Sequence, residues 1–93
     1  MNKYETVIII NNEISEEQRN TVISKVRDYI SQNGKINKEE SLGEKKLAYE
    51  VRKHTKGYYY IISFNAETSS IAELERIYRI TDEILKFIVV RED

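Results

Sequence analysis

The sequence predicts an α+β fold in which a four-stranded antiparallel sheet carries two helices on one face. Three observations support this prediction. Segments with strand-like and helix-like patterns follow one another in the order β-α-β-β-α-β along 93 residues. The second and third strands are separated by a short turn, and strands joined in this way pair antiparallel. Each helical segment has a polar start signal and an apolar stripe, as expected for a helix that packs on a sheet.

The first strand and the first helix have clear signals. Residues 4–10 are β-branched or aromatic apart from Glu5, a pattern typical of a central strand. Ser15 and Gln18 have the spacing of a capping box, which predicts the start of a helix. Apolar residues continue at helical spacing, and Gly34 predicts the end of this helix.

The middle of the chain predicts a hairpin. Residues 35–53 have extended character, with an interruption at residues 41–43. Leu47, Tyr49 and Val51 then alternate with their neighbours as in a half-buried strand, which leaves a core role open for Tyr49. Residues 54–57 form a short turn that ends in glycine, and such turns connect hairpin strands. Residues 58–64 then give the clearest strand pattern in the chain. The two strands are expected to pair antiparallel.

The last third predicts a helix and a strand. Ser70 and Glu73 have the spacing of a second capping box. The helix that follows is expected to end near Ile80, and residues 84–90 form the last strand. This order of elements is the ferredoxin-like arrangement, with sheet order 4-1-3-2 and both helices on one face. The short length predicts a single domain over residues 1–93.

The sheet face without helices is the most informative feature of the predicted fold. Strand alternation directs Tyr60, Ile62 and Phe64 toward the helices. The opposite face is expected to carry six apolar side chains, namely Val7, Ile9, Tyr59, Ile61, Ile88 and Val90. Monomers rarely expose a patch of this size, so a protein partner is expected to cover it. The alternative is partial cover by lysine and arginine stems.

The charge is balanced overall and uneven locally. Fifteen basic and sixteen acidic residues give a net charge of −1, which does not indicate nucleic-acid binding. Residues 45–56 nevertheless carry a charge of +4, from Lys45, Lys46, Arg52, Lys53 and Lys56 against Glu50. Such a patch can bind phosphates weakly and with strong salt dependence. The alternative is a solvated hairpin whose lysines protect an edge strand.

The sequence gives little support for an enzyme or a cofactor protein. It has no cysteine and a single histidine, which excludes a disulfide framework and a zinc site built from these residues. The candidate nucleophiles Ser15, Ser69 and Ser70 are accounted for as helix caps, and three separate glycines do not make a phosphate-binding loop. Neither a signal peptide nor an apolar run of about 20 residues is present, so a cytoplasmic protein is expected.

An RNA-recognition motif shares this order of elements. Residues 56–58 fit the third-strand pattern of that motif, but Tyr59 and Ser63 do not. The motif would also turn Tyr58 and Tyr60 away from the helices to stack on bases. The tyrosines are therefore predicted to be packing residues.

The chain resembles the bacterial small-subunit ribosomal protein six family over nearly its whole length. The resemblance lies in Tyr4-Glu5, in residues 42–49, in Lys53 with residues 57–59, and in residues 79–91. It departs from the family pattern at Glu50 and Asn12, where the family usually has proline. These departures affect local turn geometry and not the fold.

The resemblance implies a non-enzymatic component of the central domain of the small ribosomal subunit, acting in translation. Such a protein binds ribosomal RNA together with a basic neighbour, small-subunit ribosomal protein eighteen, and is expected to be a monomer off the ribosome. The expected RNA contacts are Asn2, Lys3, Lys45, Lys46, Tyr49, Arg52, Lys53, Lys56 and Arg91, and the expected partner contacts are the six apolar residues above. The competing interpretation is a ligand-sensing regulatory module that forms a homodimer through its sheet.

Overall fold

The computed structural model describes residues 1–92 and has the predicted architecture. Its elements are β1 (Asn2–Asn11), α1 (Glu16–Asn33), β2 (Gly34–Val51), β3 (His54–Ala66), a 3-10 turn (Thr68–Ser70), α2 (Ile71–Ile80) and β4 (Ile84–Arg91). The strands form one sheet in the order β2-β3-β1-β4, and all neighbours are antiparallel. The predicted ferredoxin-like fold and strand order are confirmed.

The main core lies between the sheet and the two helices. β1 and β3 contribute Ile8, Ile10, Ile62 and Phe64, and the helices contribute Val26, Ile30, Leu74 and Tyr78. Phe87 of β4 packs on Tyr78 with 4.9 Å between ring centroids. Alternate residues of β1 and β3 therefore face the helices, which is the orientation that strand alternation predicted.

One of the two predicted capping boxes is present. Ser15 Oγ accepts a hydrogen bond from the Gln18 backbone N–H at 3.1 Å, and Gln18 Oε1 accepts one from the Ser15 N–H at 3.0 Å. The second box was a wrong prediction. Ser70 lies at the end of the 3-10 turn, where its hydroxyl donates to the Glu67 carbonyl at 2.7 Å. Glu73 binds Arg76 instead, at 2.7 Å.

The hairpin turn lies two residues before its predicted position. Val51 pairs with His54, so that Arg52 and Lys53 form the turn and both have positive φ, 49° and 67°. The prediction of a turn at residues 54–57 was therefore wrong. Gly57 lies within β3, where an added Cβ would stand 2.3 Å from Ile9 Cγ2. Glycine is required at this position because the Ile9 side chain approaches closely, and not because of a turn.

β2 is irregular in three places, the first of which lies between Ile36 and Lys38. The register shifts between Ser41 and Gly43, where Gly43 has φ 78°, and this matches the predicted interruption. A third shift lies between Lys46 and Val51, so that four residues of β2 face one residue of β3. The regular alternation predicted for this part of β2 is therefore absent, and its side chains follow the local bend instead.

Candidate nucleic-acid interface and docking face

The sheet face opposite the helices, called the open face below, carries the predicted apolar residues. Val7 of β1 is paired with Ile61 of β3 on one side and with Ile88 of β4 on the other. These three side chains therefore lie in one row across the sheet. Val90 and Tyr59 lie in the neighbouring rows, so the predicted set does come together on one surface.

The members of this set differ in accessibility. Ile88 and Val90 are each 49% exposed, and Val7, Tyr59 and Ile61 are partly buried. Ile9 is only 9% exposed, because it packs with Leu47 and Leu85 in a second, smaller cluster that Val51 and Tyr59 border. The bend of β2 thus brings Leu47 over one end of the open face. Ile9 supports this surface from below and contributes only a small accessible area to it.

A shallow concavity lies on the open face beside the second cluster. Its volume is about 210 Å³, and it is lined by Val7, Ile9, Tyr59, Lys86, Phe87 and Ile88. Lys86 contributes the positive charge at its rim. A second concavity of about 110 Å³ includes Glu5, Lys38 and Glu40. The surface is therefore apolar in the middle and charged around the edge, which is the usual anatomy of a protein interface.

Tyr49 connects the hairpin to the open face. It is 61% exposed, so the core role that its alternation with Leu47 allowed is excluded. Lys86 Nζ donates to the Tyr49 hydroxyl and lies 4.6 Å from the centre of its ring. A cation over an aromatic ring is a favourable contact, though a modest one at an exposed site. The bent segment of β2 thereby joins the charged hairpin to the apolar face.

The basic hairpin, defined as Lys45, Lys46, Arg52, Lys53 and Lys56, extends beyond the end of β1. Lys46 and Lys56 are directly opposite each other, and all five side chains are exposed. Facing like charges in adjacent strands repel each other, so an anion between them is stabilising. The hairpin therefore carries five exposed cations within twelve residues of chain, a charge pattern that suits a phosphate backbone.

Three contacts fasten the basic hairpin to the rest of the protein. Arg52 Nη1 donates to the Asp82 carbonyl at 3.1 Å. Glu13 Oε1 lies 3.0 Å from Nδ1 of His54. Asn12 Nδ2 donates to Glu44 Oε2 at 2.8 Å on the β2 side. The hairpin is thus held against the turns that follow β1 and α2.

The remaining predicted RNA contacts lie at the other end of the sheet. Arg91 Nη2 donates to Asn2 Oδ1 at 3.0 Å, and Lys3 is adjacent to this pair in β1. Asn2 pairs with Ala66, whereas Asn11 at the opposite end of β1 pairs with Gly57. Eight residues of strand, roughly 26 Å, separate Lys3 from the start of the basic hairpin. The expectation that these residues extend the basic surface was wrong, because the neighbouring strands are antiparallel.

Tyr58 and Tyr60 face the helices and not the open face. Arg19 lies over the Tyr58 ring at 3.9 Å. The Tyr60 hydroxyl donates to Glu39 Oε1 at 3.0 Å, and its burial raises the pKa of Tyr60. Neither ring is available to stack on a base. The positions of both rings therefore agree with the prediction that these tyrosines are packing residues.

Sequence reasoning placed Glu5 on the open face, with Val7 and Ile9, but did not identify Lys86 there. Lys86 has the same strand parity as Ile88 and Val90, and this parity was a usable signal. Glu5 has the parity of Val7 and is paired with Ser63 and Val90. Each gives the apolar surface a charged neighbour that a partner protein has to match.

Within residues 1–92, no three His, Cys, Asp or Glu side chains lie close enough together to hold a metal ion. No helix among these residues is long and apolar enough to cross a membrane. What the described chain offers is a charged hairpin and an apolar sheet face.

Known proteins resemble this chain along its length. The family model described as "Ribosomal protein S6" matches residues 3–91. The "Small ribosomal subunit protein bS6" of Helicobacter acinonychis is 43% identical over 94 residues, covering 100% of this chain and 66% of that protein. The bS6 protein of Thermoanaerobacter pseudethanolicus is 38% identical, covering 100% of this chain and 99% of that protein.

The structural comparison agrees. The crystal structure of 30S ribosomal protein S6 from Thermotoga maritima has a TM-score of 0.93 and 35% identity, covering 98% of this chain and 87% of that one. An Arabidopsis thaliana protein at 14% identity and a TM-score of 0.57 shares the fold alone. The chain belongs to the ribosomal protein S6 family, whose members are structural, non-enzymatic proteins of the small ribosomal subunit.

Proposed function

We propose that this protein binds small-subunit ribosomal RNA cooperatively with a basic partner, small-subunit ribosomal protein eighteen. The observation that carries the proposal is the junction between the basic hairpin and the open face, made by the contact of Tyr49 with Lys86. A partner on the open face is thereby adjacent to the phosphate-binding hairpin. The two surfaces act as one composite RNA site in the central domain of the subunit, in the cytoplasm.

The open face is the docking surface for the protein partner. Ile88 and Val90 are half exposed on the edge strand β4 and continue into the row formed by Val7 and Ile61. Burial of apolar surface provides about 25 cal/mol per Å², so this row supplies the favourable core of an interface. Glu5 and Glu40 border it and complement a basic partner. The protein is a monomer when no partner is present.

The net charge of −1 explains why a partner is required. Binding to a phosphate backbone depends on the number of phosphates neutralised, and the basic hairpin alone supplies five cations. The group at Asn2, Lys3 and Arg91 lies at the far end of the sheet and contacts a separate stretch of RNA. A basic partner adds cations between or beside these two groups, and affinity rises with each phosphate neutralised.

The test is RNA binding across a salt series, with and without the partner protein. A central-domain fragment of small-subunit RNA is titrated with this protein, with the partner, and with both, and the bound fraction is followed by fluorescence anisotropy. Tight binding only with both proteins supports cooperative assembly. Equal binding by this protein alone contradicts the role given to the partner, and absence of binding in every mixture contradicts the RNA role.

Two matched pairs of variants separate the surfaces. Ile88→Glu is expected to abolish partner binding, whereas Ile80→Glu, at a residue 56% exposed on α2, is expected to leave it unchanged. Lys45→Ala with Lys46→Ala is expected to lower the salt dependence by about two phosphates, whereas Lys25→Ala on α1 is not. Equal effects within either pair contradict the assignment of that surface.

Sedimentation equilibrium on the protein alone tests the competing interpretation, a regulatory module that forms a homodimer through the open face. A dimer that Ile88→Glu dissociates, together with a small molecule that stabilises it, would replace the proposed function. A monomer that associates with the basic partner supports it.

A further inference from the structure

The tip of the basic hairpin has a backbone conformation that its residues disfavour. Arg52 and Lys53 have φ values of 49° and 67°, and they are the only non-glycine residues with positive φ in the part of the chain that the structure describes. They form a two-residue hairpin turn between Val51 and His54. Turns with two positive φ values strongly prefer Asn-Gly, because a Cβ is unfavourable in the left-handed region. The folded protein is therefore less stable with Arg-Lys than it would be with Asn-Gly.

Only one of the two turn side chains, that of Arg52, makes a contact that offsets the unfavourable backbone conformation. Arg52 donates to the Asp82 carbonyl at 3.1 Å and so holds the turn against the segment that follows α2. Lys53 is exposed and makes no hydrogen bond, ion pair or ring contact with any other residue in the range 1–92. Nothing within this range compensates for the left-handed conformation at Lys53.

Edge protection does not explain a lysine at this place. Lysines that prevent edge-to-edge pairing lie within the edge strand, as Lys45 and Lys46 do in β2. Lys53 lies in the turn, which has no ladder position to protect. It is also close in the chain to Lys56 and Arg52, so its ammonium group adds to an already positive tip, where an anion is favoured over solvent alone.

We propose that Lys53 is an RNA-contacting residue whose ammonium group binds a phosphate of the ribosomal RNA, and that the strained turn presents it at a cost in folding stability. This inference rests on the proposed function and deepens it, because it links one of the five hairpin cations to the strained turn that presents it. Arg52 is a positioning residue for the same turn through its bond to the Asp82 carbonyl. Replacement of Lys53 should therefore raise folding stability and lower RNA affinity. Replacement of a lysine with a purely structural role would not have these opposite effects.

The experiment compares Lys53→Gly and Lys53→Asn with the original protein in thermal unfolding and in RNA binding with the partner present. Both variants fit the left-handed region, so the thermal midpoint is expected to rise by about 4–8 °C. RNA affinity is expected to fall about fivefold, with a salt dependence lower by about one phosphate. Lys56→Ala removes a neighbouring charge from a regular strand, and it is expected to weaken binding without raising the midpoint.

The outcomes separate this inference from the proposed function. A higher midpoint with unchanged RNA affinity in both variants would overturn the phosphate contact at Lys53, while RNA binding by the original complex would leave the proposed function in place. An unchanged or lower midpoint in both variants would overturn the strain argument. Absence of RNA binding by the original complex would overturn the proposed function, and this inference with it.

Discussion

Replacement of Gly57 by alanine tests the packing beneath the open face. The new Cβ would stand 2.3 Å from Ile9 Cγ2, whereas ordinary van der Waals contacts begin near 3.4 Å, so one of the two atoms has to retreat by about 1.1 Å. Ile9 is β-branched, stiff at χ1 and covered by Leu47 and Leu85, so it has little room to move. Overpacking of this kind costs about 1–3 kcal/mol, and the lower entropy of the unfolded chain offsets about 0.4–1 kcal/mol.

We therefore expect Gly57→Ala to lower the free energy of unfolding by about 1–2 kcal/mol, and the thermal midpoint by about 5–15 °C. Denaturant unfolding followed by circular dichroism measures the first quantity and a thermal scan the second. Ile9→Ala removes the clashing methyl group, so the two substitutions together should cost at least about 1 kcal/mol less than the sum of their separate costs. Full stability of Gly57→Ala, or simple additivity with Ile9→Ala, would refute the argument.

Three further predictions concern the core and the helix start. Thr6 Oγ1 donates to the Ile88 carbonyl at 2.9 Å, so the buried Tyr78 hydroxyl donates to Thr6 Oγ1 at 3.0 Å. Thr6→Val leaves the Tyr78 hydroxyl without its acceptor and should lower the free energy of unfolding in urea by about 1–3 kcal/mol. The cost should be smaller in a Tyr78→Phe background, and an equal cost with and without Tyr78→Phe would contradict the hydrogen bond. Burial raises the pKa of Tyr78 above its ordinary value of 10.0, so the unfolded chain loses this proton at a lower pH than the folded protein does. The free energy of unfolding should therefore fall as the pH rises above about 10. Tyr78→Phe should reduce this loss when unfolding is measured between about pH 9 and 11. Ser15→Ala should cost about 1 kcal/mol whereas Ser70→Ala, which removes no helix cap, should cost clearly less by thermal unfolding; equal costs would contradict the distinction.

The fold was predictable because local signals and long-range pairing agree. The apolar run of residues 4–10 marks a central strand, and β1 does lie between β3 and β4. Strand parity was sufficient to place Val7, Ile61 and Ile88 on one face, because parity persists wherever the ladder is regular. These features depend on periodicities that a sequence displays directly.

The details that failed depend on contacts between distant residues. Gly57 resembles a turn glycine in the sequence, but its reason is the approach of Ile9, nearly fifty positions earlier. The positive φ values of Arg52 and Lys53 contradict their own preferences, so no local rule predicts a turn there. The separation of the charged groups was different, because it follows from the antiparallel order that the sequence did predict: Lys3 lies near the start of β1, whereas the basic hairpin meets its end.

The central position of β1 also has a consequence during synthesis of the chain. β1 is synthesised first, yet its partners are residues 57–66 and 84–91. At about 5–20 residues per second, roughly 3–10 s pass before β3 follows it out of the synthetic machinery. During this interval residues 6–10 have no strand beside them, and such β-branched segments are prone to self-association. The element that organises the finished sheet is thus the one most in need of protection while the chain is being made.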